Sequence, residues 1–264
     1  MGDAPLRVPP IPLNPGEALL PQHDSPNPQE CLLVDLGLAG YAEAWELQRQ
    51  LVTARKAGEI SNVLLLCEHA PVVTLGRNGK SEHLLASRSL LKQMGVEFVI
   101  TDRGGDITYH GPGQIVGYPI FNLGAIRRDV VWYVRQLEEA MIRATAEYGI
   151  TARREPGMTG VWVRSPAGIE KLAAIGVRIS RWVTSHGFAY NVSTDLRNFD
   201  LIVPCGISDR KPTSLERLLG KSVSLQSVGE RIASHVADIF GQELRRVPFE
   251  EIAEHLHRQT ACAV

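Results

Sequence analysis

Apolar residues stand three or four apart at Ala44, Leu47, Leu51 and Ala54, a spacing that predicts an amphipathic helix. The runs from Asn62 to Cys67 and from Val72 to Leu75 are too short for helices and read as buried strands. Ser81 to Met94 reads as a second helix stopped by Gly95, followed by an alternating strand from Val96 to Thr101. A strand from Ile115 to Phe121 leads to the longest periodic stretch, Val130, Val134, Leu137, Met141, Ala144 and Tyr148, which Gly149 ends. Its apolar stripe is core. Three further strands are expected at Gly160 to Arg164, Lys171 to Ile179 and Gly187 to Val192. Helical spacing then returns in Val228, Ile232, Val236 and Ile239, up to Gly241. Helices and strands mix without regular alternation, which favours an α+β fold over a doubly wound parallel sheet.

No internal repeat or flexible interior linker divides the chain, so residues 31–241 are expected to form one domain. Residues 1–30 are expected to form a proline-rich, extended or disordered lead and residues 242–264 a C-terminal helical tail. That lead holds eight of the sixteen prolines and no apolar core segment of the kind a secretory signal or membrane helix needs. Among 264 residues, 44% are hydrophobic, ample for a sizeable core, and the formal net charge of -1 gives no global attraction to nucleic acid or an anionic membrane. Cys31, Cys67, Cys205 and Cys262 form no C-x-x-C pair, which argues against a zinc site or a disulfide framework and for the reducing cytoplasm. Cys67 and His69 lack a second pair of ligands, so Cys67 reads as a buried strand cysteine.

Three stretches carry chemistry rather than packing. The run from Arg103 to Gln114 gathers Gly104, Gly105, Gly111, Pro112 and Gly113 around Tyr109 and His110, so a backbone can approach a ligand closely beside an acid or base. Lys171 opens a largely apolar, strand-like segment that runs through Arg178 and Arg181 to Val192. Cys205 stands between Pro204 and Gly206, neighbours that suit a bend and not the interior of a helix or strand.

With a fourth stretch, Glu68 to Arg77, these motifs follow one another in an order that resembles the octanoyltransferase family of lipoate biosynthesis, from about Leu32 to about Phe240. The resemblance implies the mixed-sheet core, flanked by helices, of biotin and lipoate protein ligases. It implies transfer of octanoyl from acyl carrier protein to a lysine of lipoyl domains, those of 2-oxoacid dehydrogenase E2 subunits and of the glycine cleavage H protein. Cys205 corresponds to the family nucleophile and Lys171 to the lysine that activates it. Substrate binding is carried onto Arg103, Gly104, Gly105, Asp106, Ile107, Thr108, Tyr109 and His110, onto Ala174, Ile175 and Gly176, and onto Gly187, Phe188 and Ala189. His110 and His186 are supporting candidates. The donor carries phosphopantetheine, and neither ATP nor a metal is expected. Neither nucleic acid nor membrane is expected as a partner.

A cysteine suits this reaction because a thiolate both attacks and leaves well. At its ordinary pKa near 8.5 a free thiol is only about 3% thiolate at pH 7, and a nearby ammonium can shift it enough to gain about thirtyfold. The enzymatic rivals are an ATP-dependent lipoate or biotin ligase, which would not need Cys205, and an amidotransferase that takes octanoyl from a lipoyl-type protein. Clustered Arg127, Arg128, Arg153 and Arg154 are expected to include contacts to the acidic carrier, while Thr108 and Tyr109 read equally as strand packing and Trp182 reads as core rather than a substrate platform.

Overall fold

An eight-stranded mixed sheet and a three-stranded sheet carry the fold, in a computed structural model that describes residues 29–166, 168–203 and 211–262. Strand β1 (Glu30–Ala39) leads into α1 (Tyr41–Ala57), β2 (Asn62–His69) and β3 (Val72–Leu75). After a 3-10 turn at Ser81–His83 come α2 (Arg88–Gln93), β4 (Glu97–Ile100), β5 (Ile107–His110) and β6 (Gln114–Ile120). Next are α3 (Leu123–Ile126), α4 (Val130–Ala146), β7 (Ala152–Glu155), β8 (Met158–Ser165), β9 (Gly168–Ser180) and β10 (Val183–Asn191). A second 3-10 turn at Leu196–Leu201 precedes α5 (Leu215–Leu219), α6 (Leu225–Phe240), β11 (Glu243–Arg246) and α7 (Phe249–Cys262).

The large sheet has the order β11-β1-β2-β6-β10-β9-β8-β7, parallel at β11-β1 and β1-β2 and antiparallel elsewhere. Helices cover both of its faces, which is why β2 is apolar at successive positions. Leu64 and Leu66 point into the core shared with α4 and α6, while Val63, Leu65 and Cys67 point into the core shared with α1 and α7. The small sheet, β4-β3-β5, has its own core of Val73, Leu75, Leu91, Ile107, Tyr109, Phe199 and Ile202. This is the expected α+β architecture with a mixed sheet and flanking helices. Among the described residues, no helix is long and apolar enough to cross a membrane.

Two expectations are corrected. Ser81 to Met94 is not one helix, because tertiary pairing claims its middle. The N–H groups of Leu85 and Ala86 both donate to Leu201 O (3.0 and 3.1 Å), and only after Ser87, whose Oγ accepts from Leu90 N–H, does α2 begin. The segment read as a helical tail opens with β11, which pairs with β1 from Glu30↔Glu243 to Leu33↔Arg246. Strands β1, β5 and β7 were not anticipated.

Candidate active site

The glycine-rich run lies so close to β9 that side chains are excluded. Gly104 N–H donates to Val177 O at 2.9 Å, and a Cβ on Gly176 would stand 2.8 Å from Gly104 O. Arg103 fastens the other side of the run to β3. Its Nε and Nη2 donate to Thr74 Oγ1 (3.2 and 2.9 Å), and Nη2 also donates to Thr74 O (2.8 Å). Asp106 accepts from Ile107 N–H at 2.7 Å and pairs with His83 Nδ1 at 2.5 Å.

Between this run and strands β9 and β10 lies a cavity of about 460 Å³. Arg103, Gly104, Gly105, Asp106, Ile107, Thr108 and His110 line one side, Ala174, Ile175 and Gly176 another, and Gly187, Phe188 and Ala189 a third. Val116, Val134, Met158, Val177 and Phe199 complete its apolar surface. Tyr109 does not line it. Neighbouring side chains of β5 alternate, and the Tyr109 ring is buried in the small-sheet core against Phe199, centroids 5.6 Å apart.

Lys171 lies at the opposite end of β9 from Val177, roughly 20 Å away at the rise of an extended strand. Its ammonium stands 4.7 Å from the Trp162 ring centroid, a cation–π arrangement. Its backbone N–H donates to Lys211 O and its carbonyl accepts from Thr213 N–H, both at 2.9 Å. Cys205 lies outside the described residues. The positions that bracket it are tied to the cavity walls, Lys211 through Lys171, and Val203 through its N–H bond to His83 O (2.8 Å).

His110 and His186 line the cavity, and His69 is buried behind them. His110 donates from Nδ1 to Gln114 Oε1 at 2.7 Å, and His69 donates from Nδ1 to Ala39 O at 2.9 Å while its Nε2 accepts from the Tyr118 hydroxyl at 2.7 Å. Burial, joined by the nearby charges of His69 and Arg103, lowers the His110 pKa to about 3; burial lowers that of His69 to about 4. His186, at φ 54°, bonds through Nε2 to Asp102 Oδ1 (2.8 Å), and burial outweighs that carboxylate to lower its pKa too. Tyr41 packs on both His69 and His110, centroids 5.3 and 6.0 Å apart. From His110 a polar chain runs through Gln114 to Asn191 Oδ1 (2.9 Å), and from Asn191 Nδ2 to Thr213 O (3.0 Å), next to the Lys171 pairing. Sequence reasoning missed His69, Gln114, Asn191 and Tyr41. His69 sits in the fourth motif and Gln114 closes the glycine-rich run, the only signals available for them.

Three of the four clustered arginines are ion-paired within the chain. Arg154 bonds Glu138 and Glu139 (3.1 and 2.8 Å), Arg153 pairs with Glu155 and Arg127 with Asp129. Of the four, only Arg128 has no carboxylate within ion-pair distance among the described residues. Trp182 is half-buried against the core of α4 and α6.

A mixed sheet with helices on both faces and a cavity beside β9 is the fold of the lipoate protein ligase type. Residues 40–237 match the model of the lipoyl protein ligase A/B catalytic domain. A bi-partite lipoate protein ligase of Thermoplasma acidophilum has a similar fold, with TM-score 0.69 at 17% identity over 88% of this chain and 91% of that one. An octanoyltransferase of Solibacter usitatus is 54% identical, covering 82% of this chain and 96% of the relative. Another, of Acidobacterium capsulatum, is 52% identical over 80% and 91%. The chain belongs to the octanoyltransferase family, a family of acyltransferases.

Proposed function

We propose that this protein transfers an octanoyl group from the phosphopantetheine thioester of acyl carrier protein to a lysine of lipoyl domains, through a thioester on Cys205. The observation that carries the reading is the apolar cavity with Lys171 at one end, paired through its backbone to Lys211 and Thr213, just beyond the Cys205 segment. Burial of the acyl chain there contributes about 0.8 kcal/mol per methylene.

In the first half-reaction the Cys205 thiolate attacks the donor carbonyl carbon, the donor carbon–sulfur bond breaks, and the leaving thiolate takes a proton from the Lys171 ammonium. In the second, the acceptor amine attacks the acyl-Cys205 carbonyl and the carbon–nitrogen bond forms. The Cys205 thiolate then leaves, and neutral Lys171 takes the amine proton. Both groups return to their starting states. Converting a thioester to an amide is downhill, so the reaction draws on no nucleotide or metal. Lipoyl domains in general agree with the family as acceptors; we propose the E2 subunits and glycine cleavage H protein among them, and the cytoplasm as the compartment, a reading that free Cys31 and Cys67 support.

Intact-protein mass after mixing with octanoyl-loaded carrier, without ATP, tests the reading. Wild type is expected to gain one octanoyl group, released by hydroxylamine and discharged by a lipoyl domain, while Cys205→Ala gains none. Absence of an adduct, with ATP-dependent transfer from free octanoate, would assign the chain to the ligase reaction and sink the proposal.

A further inference from the structure

Asn191 closes β10 beside two segments that the reaction has to hold together. Its side chain is buried and lines the acyl cavity, as do those of Gln114 and His110. Asn191 Nδ2 donates to Thr213 O at 3.0 Å, and Asn191 Oδ1 accepts from Gln114 Nε2 at 2.9 Å. Thr213 belongs to the stretch that follows Cys205 in the chain, and its own N–H donates to Lys171 O at 2.9 Å. Lys171 N–H donates in turn to Lys211 O, so Pro212 forms a parallel bridge with Lys171. Backbone bonds thus set this stretch against β9, and the Asn191 amide adds a bond from β10.

Chemistry fixes the direction of these bonds. A backbone carbonyl such as Thr213 O can only accept, so Asn191 presents its amide nitrogen to it and its carbonyl to Gln114. Gln114 must then donate from Nε2, which leaves Oε1 to accept from His110 Nδ1 at 2.7 Å. From His110 to Lys171 O every donor points the same way, an arrangement in which each bond polarises the next. Without the Asn191 amide, a buried Gln114 donor and the Thr213 carbonyl lose their partner, and the stretch after Cys205 loses its tie to β10.

Resting on the transferase reading above, we infer that Asn191 is a positioning residue for the Cys205 and Lys171 pair, and that Gln114 orients the Asn191 amide for this task. Asn191 acts through the backbone: it holds the stretch that follows Cys205 against the strand that carries Lys171. Attraction between an ammonium and a thiolate falls with their separation, and proton transfer between them requires hydrogen-bond reach. A displaced stretch therefore slows the chemical steps. Acyl binding, which rests on the apolar cavity wall, stays in place.

Asn191→Leu, close in size and uncharged, tests this in two measurements. With octanoyl-carrier as donor, kcat is expected to fall about tenfold to a hundredfold while the carrier KM stays within about twofold. The pH at which iodoacetamide alkylates Cys205 at half its maximal rate, followed by peptide mass, is expected to rise towards that of a free cysteine. A merely structural role would lower the melting temperature and leave that midpoint where it is in wild type. A kcat within about twofold of wild type, a loss confined to KM, or an unchanged alkylation midpoint overturns the inference. Gln114→Met removes the donor that orients Asn191 and keeps Asn191 itself, so the same pattern should appear more weakly. If Asn191→Leu fails to fold, an unchanged kcat or midpoint in Gln114→Met overturns the inference in its place. Wild type that gains no octanoyl adduct on Cys205 would instead remove the reading beneath it, and the inference with it.

Discussion

His69 and His110 stand with ring centroids 5.9 Å apart, both buried and both hydrogen-bonded as neutral imidazoles. Their pKa values of about 4 and about 3 lie below that of a free imidazole, so at intermediate pH the unfolded chain binds protons that the folded chain refuses. Stability is therefore full above about pH 6.5 and falls as acid is added, by about 1.4 kcal/mol per pH unit for each histidine until its folded pKa is reached. Urea midpoints measured at pH 7, 6 and 5 should decline with this slope, and His110→Asn should decline less steeply; an identical decline in the variant would contradict the assignment. At this scale the sequence singled out Lys171 and Cys205 as candidates through the family motifs that hold them. It said little of Gln114 and Asn191, because a polar chain between two strands depends on which strands become neighbours.

Glu138, on α4, shows what periodicity conceals between elements. Its carboxylate is fully buried and accepts from Arg135 Nη1 (2.7 Å), Arg154 Nε (3.1 Å) and Gly160 N–H (2.9 Å), clipping α4 to β7 and β8. Glu138→Ala is expected to cost about 2–3 kcal/mol, less than for a fully buried pair because Arg135 and Arg154 are 41% and 35% exposed. Chemical denaturation measures this; a change below about 0.5 kcal/mol would mean that the clip contributes nothing. Arg153 and Arg154 looked like surface charge in the sequence because their carboxylates come from other positions in the fold or from the turn of β7 itself. The same reasoning explains which strands were legible. Central β2, β6, β9 and β10 announce themselves by apolar runs, whereas the two outermost strands, β7 with Ala152–Glu155 and β11 with Glu243–Arg246, are rich in arginine and glutamate. Charged edges resist pairing with other chains, and that composition erases the alternation by which a strand is recognised. In β1 the alternation is interrupted by the irregularity between Asp35 and Leu38, where Gly37 takes φ 59°.

For the whole molecule, the cavity is the joint between the two sheets, and its filling should brace them. Octanoyl-loaded wild type, freed of donor, is expected to melt several degrees above the unloaded protein, since each buried methylene contributes about 0.8 kcal/mol. Calorimetry showing equal melting temperatures would mean that the acyl chain stays outside. The fold class was legible because the order of helices and strands suffices for it; the partners of the central strands were not, since β2 pairs with β6 and β6 with β10 across long intervening stretches of chain. That topology has a consequence for biosynthesis. Strand β1 is synthesised before the other described strands, yet its outer neighbour β11 is translated after them. Until synthesis passes Arg246, the nascent chain carries an open parallel edge along Cys31 to Leu33, so the large sheet is completed only once β11 has emerged.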